Sequence, residues 1–443
     1  MDPITLVMLS VGLLLLLILV GFPIGYSLGG VTVLMMMVVG DGGEIRYMAE
    51  AAFASLDSIE LVALPMFIFM GAIIAVSPAG ADIYAALSRL LPIPGGLGIS
   101  TIGGCAMFSA ISGSAPATVA AIGSSGVPAM LERRYPPSLA TGLIVGGGTL
   151  GILIPPSVVL LLYGVVTKTS IGQLFLAGIV PGLMFVVLFS IYTWLRMRRY
   201  LATLSETERR ELIDKERSAG MEGGKWASFR RVLPFFALMA GVMIGLYGGW
   251  FTPSEIAAVG AVASMVLVVA IYRITDLETW QKLLQKSVKD TSMILIIAAF
   301  AYGFAQFLSF YDVINELTSL LLNVSPNKWL TLLLLWVLML ALGCFLPPFA
   351  IIVIVAPMFL PFILDIGLNP IWFGVFATIN MEMGCITPPL GINLFVTKSI
   401  ARQVPMSEII SGSIPFFLIL ALGSLIITIF PQIVLFLPET MMR

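Results

Sequence analysis

Apolar residues run in blocks of about 20 along most of this chain, divided by short polar connectors, and a block of that length is what one helix needs to cross a bilayer. The blocks predict spanning helices over 4–22, 24–40, 61–78, 137–163, 172–195, 232–249, 255–272, 291–309, 370–397 and 411–437. Two further apolar stretches, 96–130 and 329–364, are interrupted near their middles, one by Ser112-Gly113-Ser114-Ala115-Pro116 and the other by Leu346-Pro347-Pro348. Each reads as a re-entrant helical hairpin that enters and leaves by one side. Their turns sit at depth, which a membrane tolerates only against protein or a water-filled cavity. The expected fold is an all-α integral membrane protein of about ten transmembrane helices plus two re-entrant hairpins.

Two segments, 43–60 and 276–290, mix charge with apolar residues (Glu44, Arg46, Glu50, Asp57, Glu60; Asp276, Glu278, Lys282, Lys286, Lys289, Asp290). They read as amphipathic helices along opposite membrane faces, serving as anchors or as a fixed brace beside a moving domain.

Positive charge orients the chain, because short cytoplasmic loops collect Lys and Arg. The longest polar segment, 196–231, carries Arg196, Arg198, Arg199, Arg209, Arg210, Lys215, Arg217, Lys225, Arg230 and Arg231, which places it in the cytoplasm. Counting both hairpins as non-crossing puts Arg89, Arg133, Arg134, Arg273, Lys282, Lys286, Lys289, Lys398 and Arg402 on that same side. The first hairpin then opens to the cytoplasm, the second to the periplasm, and both termini are periplasmic.

The opposition of the hairpins suggests inverted topology, and internal repetition agrees. A shift of 233 positions lays Pro128 on Pro361, Pro137 on Pro370, Gly151 on Gly384, Pro155 on Pro388 and Pro156 on Pro389. With 27 prolines in the chain, about 0.2 proline coincidences are expected by chance over 106–163, where four occur. Inverted repeats with discontinuous helices are the architecture of secondary transporters.

Composition narrows the function further. The chain of 443 residues is 59% hydrophobic and 11% charged, with 23 basic against 24 acidic residues, so no basic stripe invites nucleic acid as a partner. There is no histidine, and the three cysteines (Cys105, Cys344, Cys385) lie in apolar runs. That argues against histidine metal sites, histidine acid–base catalysis and a disulfide framework. No Ser–Lys or paired-Asp dyad stands at depth, so an intramembrane enzyme is disfavoured. The first apolar run lacks a basic leader and an A-x-A site and is expected to remain as a helix.

Candidate chemistry gathers where the helices break. The first hairpin tip supplies hydroxyls from Ser109, Ser112, Ser114 and Thr118 around Gly113. Unwound carbonyls and hydroxyls suit a hard cation such as Na⁺, although such small residues also serve close helix packing. The runs Gly146–Ser157 and Asn380–Gly391 each contain adjacent prolines, which remove two amide donors and leave carbonyls free in mid-membrane. Half-helices that restart after such breaks aim N-terminal amides at an anion. Small polar residues near the breaks (Ser114, Thr149, Ser157, Asn380, Asn393) are candidates for binding the substrate. Glu382, the most deeply placed ionisable residue, is an intramembrane charge that could balance sodium, titrate or brace loop amides.

Three motifs, Ala110–Gly123 around SGSAP, Gly148-Thr-Leu-Gly-Ile-Leu-Ile-Pro-Pro-Ser157 and Gly384-Cys-Ile-Thr-Pro-Pro-Leu-Gly391 with Ile392–Val396, resemble the large membrane (M) subunit of tripartite ATP-independent periplasmic (TRAP) transporters, DctM-like. The resemblance covers nearly the whole chain. It implies an elevator-type, sodium-driven importer of organic acids in the bacterial inner membrane. Its implied partners are a periplasmic substrate-binding (P) subunit and a small four-helix membrane (Q) subunit on a separate polypeptide. Carried over by position, the first sodium site falls on Ser109 and Ser112 with carbonyls at Gly151, Ile154 and Pro156, and the second on Gly343, Phe345, Gly384, Thr387 and Pro389. Relatives commonly carry Asp in a Gly-x-Phe-x-Asp stretch of the second hairpin, where this chain reads Gly343-Cys-Phe-Leu-Pro347. The implied division is scaffold helices with the first arm helix over 1–78, transport-domain halves over 79–171 and 310–409, a scaffold helix over 172–195, and a cytoplasmic loop over 196–231. Scaffold helices with the second arm helix then occupy 232–309, and a C-terminal helix 410–443. A binding-protein-independent Na⁺/dicarboxylate symporter and an anion channel are the competing functions; Na⁺ is the one expected cofactor, as a transported coupling ion.

Overall fold

The computed structural model describes residues 3–40, 45–88, 91, 93, 95–219, 225–313, 316 and 328–441, and among them every regular element is a helix. Arg89 and Glu44 fall outside this set, as do the side chains of Lys215, Arg217 and Lys225.

The chain opens with α1 (Pro3–Val20), α2 (Ile24–Val39), the short α3 (Ile45–Leu56) and, after a 3₁₀ turn at Ile59–Val62, α4 (Ala63–Val76) and α5 (Ala79–Leu87). A helical hairpin follows, α6 (Gly96–Ser112) and α7 (Ala115–Glu132), and then a broken helix, α8 (Pro137–Leu153) and α9 (Val158–Thr167). The long α10 (Ile171–Thr203) leads through α11 (Glu206–Ala219) to α12 (Lys225–Tyr247), α13 (Pro253–Tyr272) and α14 (Leu277–Phe310). The second hairpin is α15 (Lys328–Gly343) with α16 (Pro348–Asp365), and the second broken helix is α17 (Pro370–Cys385) with α18 (Ile392–Ile400). Two helices, α19 (Met406–Ile429) and α20 (Gln432–Met441), close the described chain.

The shift of 233 maps α1 to α4 onto the run from α12 to the second half of α14, and the first hairpin and broken helix onto the second pair. Both broken helices begin with proline at the first helical position, Pro137 and Pro370, where the missing amide costs nothing.

Several boundaries differ from the sequence reading, each for a local reason. Eight segments of the described residues are long and apolar enough to span by themselves, whereas Thr5–Val20 of α1 and Ile24–Val39 (α2) are shorter apolar stretches; 16 residues at about 1.5 Å each reach less than the ~30 Å apolar core. The span expected over 411–437 is split at Pro431, which cannot donate to the preceding turn. Residues 276–290 do not form a separate surface helix: α14 runs unbroken for 34 residues into the expected 291–309 span. Nothing between Asp290 and Thr291 breaks a helix, since a change in side-chain polarity leaves the amide ladder intact. The 196–231 segment is also largely helical, formed by the end of α10, α11 and the start of α12.

Two packed groups emerge. One contains α1 to α4 with α12 to α14, α13 lying along α4 and α14 along α2, α3 and α4. The other holds both hairpins and both broken helices, with α19 along α8 and α10 along α6, α8 and α20. Thus α10 packs with the hairpins although its sequence position suggested the scaffold. Within this group Tyr163 of α9 donates a 2.6 Å hydrogen bond to the Pro370 carbonyl, tying one repeat to the other, and Trp372 donates to the Ile427 carbonyl at 2.8 Å. The groups meet where α4 touches α6 and α14 touches α16, and Tyr272 of α13 donates to Asp82 of α5 at 2.9 Å.

Candidate functional site: the hairpin tips and helix breaks

Proline sets the site locally. A helical carbonyl accepts from the amide four residues on, and proline has none. That deprives Ser112 (facing Pro116), Gly151 and Ile152 (Pro155, Pro156), Gly343 and Cys344 (Pro347, Pro348), and Gly384 and Cys385 (Pro388, Pro389) of their helical donors. Each of the four interruptions the sequence marked therefore frees backbone oxygen from its helical donor. Both Pro155-Pro156 and Pro388-Pro389 are joined by cis peptide bonds.

Tertiary packing sets each hairpin tip against its own broken helix. Gly113 turns the first tip with φ +61, a conformation that suits glycine, and a Cβ there would stand 2.6 Å from the Pro156 carbonyl oxygen. A Cβ on Gly151 would lie 2.7 Å from the Ser114 carbonyl carbon. The equivalent Gly384 faces Gly343 so closely that a Cβ would come within 2.6 Å of its Cα and carbonyl oxygen. The Leu390 amide donates to the Cys344 carbonyl at 3.3 Å, so the second tip is pinned as well. Gly71 of α4 leaves room for the Ser112 carbonyl, bringing the other group against the first tip.

Of the residues expected at the first cation site, Ser109 and Ser112 come together through Thr118, whose hydroxyl lies 3.1 Å and 3.3 Å from theirs. Thr118 also donates to the Ser114 carbonyl at 2.9 Å. Its single hydrogen is thus used, so the two serines donate to Thr118 and keep lone pairs for another partner. At the second site Gly343 and Gly384 touch, while the Gly384 carbonyl accepts from the Thr387 amide at 3.1 Å and the Thr387 hydroxyl donates to the Met383 carbonyl at 2.6 Å. These donor sets are neutral oxygens, which fits a hard monovalent cation. No cluster of three His, Cys, Asp or Glu residues able to hold a metal occurs among the described residues.

A cavity of about 990 Å³ opens beside the tips. Its wall includes Ser114 to Ala117 at the start of α7, Val158 and Val159 at the start of α9, Pro347 to Phe349 at the start of α16 and Ile392 at the start of α18. Four half-helices therefore present their N-terminal, partially positive ends to one space. Ser114 caps α7, accepting from the Ala117 amide at 3.5 Å. None of these four ends carries an acidic side chain.

Of the substrate candidates, Ser114 alone lines this cavity. Ser157 accepts from the Leu160 amide at 3.2 Å and caps α9, and Thr149 donates to the Gly146 carbonyl at 2.6 Å. Asn380 and Asn393, both fully buried, donate to the carbonyls of Phe376 and Val145, while their Oδ1 atoms have no hydrogen-bond partner. Glu382 is 1% exposed, and neither carboxylate oxygen has a partner in the structure. It does not brace loop amides here.

Residues 11–433 match the family described as the tripartite ATP-independent periplasmic transporter, DctM component. The chain belongs to that family. It is 35% identical over 398 residues to the C4-dicarboxylate TRAP transporter large permease protein DctM of Pseudomonas aeruginosa, covering 89% of this chain and 90% of that protein. It is 32% identical over 429 residues to the isethionate TRAP transporter permease protein DctMQ of Oleidesulfovibrio alaskensis, covering 96% of this chain and 65% of that protein. In fold it resembles the crystal structure of the Alcanivorax borkumensis YdaH transporter, with a TM-score of 0.57 at 15% identity over 88% of this chain and 89% of that one. As a member of that family, the chain is a multi-pass membrane permease.

Sequence reasoning named Thr118 among the tip hydroxyls without placing it at their centre, and missed Lys282, Lys286 and Asp290 of α14 as cavity-lining residues. The charges were visible in the sequence, but only the packing of α14 against α16 turns them toward the tips.

Proposed function

We propose that this chain imports a small organic anion across the inner membrane, coupled to sodium, by an elevator motion of the hairpin-bearing group against the other. The convergence of four half-helix N-termini on one cavity carries the reading, because that arrangement attracts negative charge without a fixed cation at the centre. Seven carbonyls deprived of helical donors, together with Ser109 and Ser112, supply neutral oxygen for sodium. The cavity is also lined by Lys282 and Lys286, which the charge pattern assigns to the cytoplasmic side, so this conformation faces inward.

The moving body in this reading includes α10 and α19, since both pack on the first broken helix. Its motion must break the Tyr272–Asp82 hydrogen bond. A periplasmic binding protein delivers the substrate and a small four-helix subunit widens the scaffold; the substrates named for relatives, a C4-dicarboxylate and isethionate, suit an anion-attracting cavity.

The test is uptake into proteoliposomes containing this chain with its small subunit, with and without the binding protein and with and without an inward sodium gradient. Uptake that requires both supports the proposal. Uptake without the binding protein favours a self-sufficient symporter, and non-saturable flux without counterflow a channel.

A further inference from the structure

The hairpin tips account for the inner end of the cavity but leave its charged wall unexplained. That wall is one face of α14: Thr279, Lys282, Leu283, Lys286 and Asp290 recur at helical spacing along the cavity. Both lysines are exposed and mark the mouth. Lys282 is held 2.6 Å from Glu278, one turn back, so its charge is largely answered. Lys286 makes no ion pair or hydrogen bond among the described residues. Asp290 lies one turn further along the same face and is half-buried. The helix N-termini deeper inside carry only partial charges, so among the described lining residues Lys286 is the full positive charge outside an ion pair, with the half-buried Asp290 carboxylate one turn away.

We propose that Lys286 is an anion-receiving station fixed on α14, which holds the carboxylate or sulfonate of the substrate at the cavity mouth between the hairpin tips and bulk water. This rests on the reading of the cavity as the path of an organic anion. The physical case is charge focusing: a single ammonium beside a cleft with apolar walls raises the local concentration of anions and lowers that of cations. A compact ammonium on a flexible stem also suits transient capture better than a rigid bidentate clamp. Because α14 belongs to the group that does not carry the tips, the station stays in place while the tips move. Substrate carried by the tips would therefore meet this ammonium only when the tips are aligned with it.

The experiment avoids transport altogether. Ser124 of α7 is exposed and lines the same cavity, so a Ser124→Cys protein in lipid nanodiscs offers a thiol within the field of Lys286. Its rates of modification by anionic methanethiosulfonate ethylsulfonate and cationic methanethiosulfonate ethyltrimethylammonium are read by mass spectrometry at position 124, which separates them from the native cysteines. We expect Lys286→Gln to lower the anion-to-cation rate ratio by about threefold at low salt and by much less in high salt. Lys286→Arg should keep the ratio, and Lys289→Gln, on the same helix but outside the lining, should leave it unchanged. An unaltered ratio in Lys286→Gln, or an equal fall in Lys289→Gln, overturns the station. Failure of the import reading would show instead as absent uptake by the unsubstituted protein, which this labelling does not measure.

Discussion

The two repeats share a backbone plan and differ in what their side chains do at it. In the first, the tip is a hydroxyl cluster in which Ser109 and Ser112 converge on Thr118, and the restarting helix α9 is capped by Ser157. In the second, the tip reads Gly343-Cys-Phe-Leu-Pro347, its tie to the broken helix is the backbone bond from Leu390 to Cys344, and α18 starts from Gly391 at φ +40 without a side-chain cap. The shift of 233 also sets Thr149 against Glu382. Thr149 satisfies itself on its own helix, while Glu382 is buried without a partner. What both repeats keep is a broken-helix glycine, Gly151 or Gly384, pressed against the backbone of its hairpin tip, and the proline-released carbonyls. The common part of the site is therefore backbone, and side chains only distinguish its two halves.

The largest expected effect comes from removing that common part. Substituting alanine for both Pro155 and Pro156, or for both Pro388 and Pro389, restores amides that can close the helix on the carbonyls of Gly151 and Ile152 or of Gly384 and Cys385. Alanine is favoured over proline in a helix by about 3 kcal/mol per residue, so closure should prevail. Sodium-dependent uptake should fall to background in both proteins, with membrane yield preserved. Wild-type sodium dependence in both would sink the shared-backbone account.

Next comes a test of the difference. Ser112→Ala should raise the sodium concentration needed for half-maximal uptake by about tenfold, the scale of one lost hydrogen-bonding group on a charge, roughly 1.5 kcal/mol. Cys344→Ala in the second tip should change it little, because that residue contributes a carbonyl. Equal effects would show that the tips are not chemically distinct.

Smaller still is the contrast between Glu382 and Thr149. Replacing an unpartnered buried polar group with an apolar one relieves about 1–3 kcal/mol. Glu382→Leu should therefore raise the thermal unfolding midpoint in detergent, while Thr149→Val leaves it nearly unchanged. A lower midpoint for Glu382→Leu would mean that the carboxylate has a stabilising partner.

The smallest effect concerns the start of α14. Asp276 caps it, accepting from the Thr279 amide at 3.0 Å, and the Thr279 hydroxyl and amide together hold its carboxyl below the usual range. A lowered carboxyl stabilises the fold above its unfolded value, and that contribution is lost as pH falls through the folded one. Hydrogen exchange at 277–280 should quicken in acid and in Asp276→Ala, with the rest of α14 still protected. Acid-insensitive exchange there would remove the cap from the account.

The helix breaks were legible because their cause is local: a proline lacks an amide wherever it stands, so Pro116, Pro155 and Pro388 announce released carbonyls without any tertiary knowledge. The extent of α14 was misread because a switch from charged to apolar side chains at Asp290 looked like an element boundary, whereas continuity depends on the backbone. Ser157 and Thr149 looked like ligand groups because a hydroxyl in an apolar run attracts attention. Their partners are a helix turn away, and such self-satisfaction depends on rotamers that sequence does not display.

By itself the sequence determined the solvent, the helical class, the internal repeat and the positions of the four interruptions, because hydropathy, charge bias and proline chemistry act over a few residues at a time. Only the tertiary structure decided which interruption faces which. Gly113 meets Pro156, Gly384 meets Gly343, four helix N-termini share one cavity, and Lys286 stands at its mouth. Those pairings join residues tens to hundreds of positions apart. They are selected by whether glycine-sized gaps let backbones approach, a condition of packing in three dimensions that no local pattern encodes.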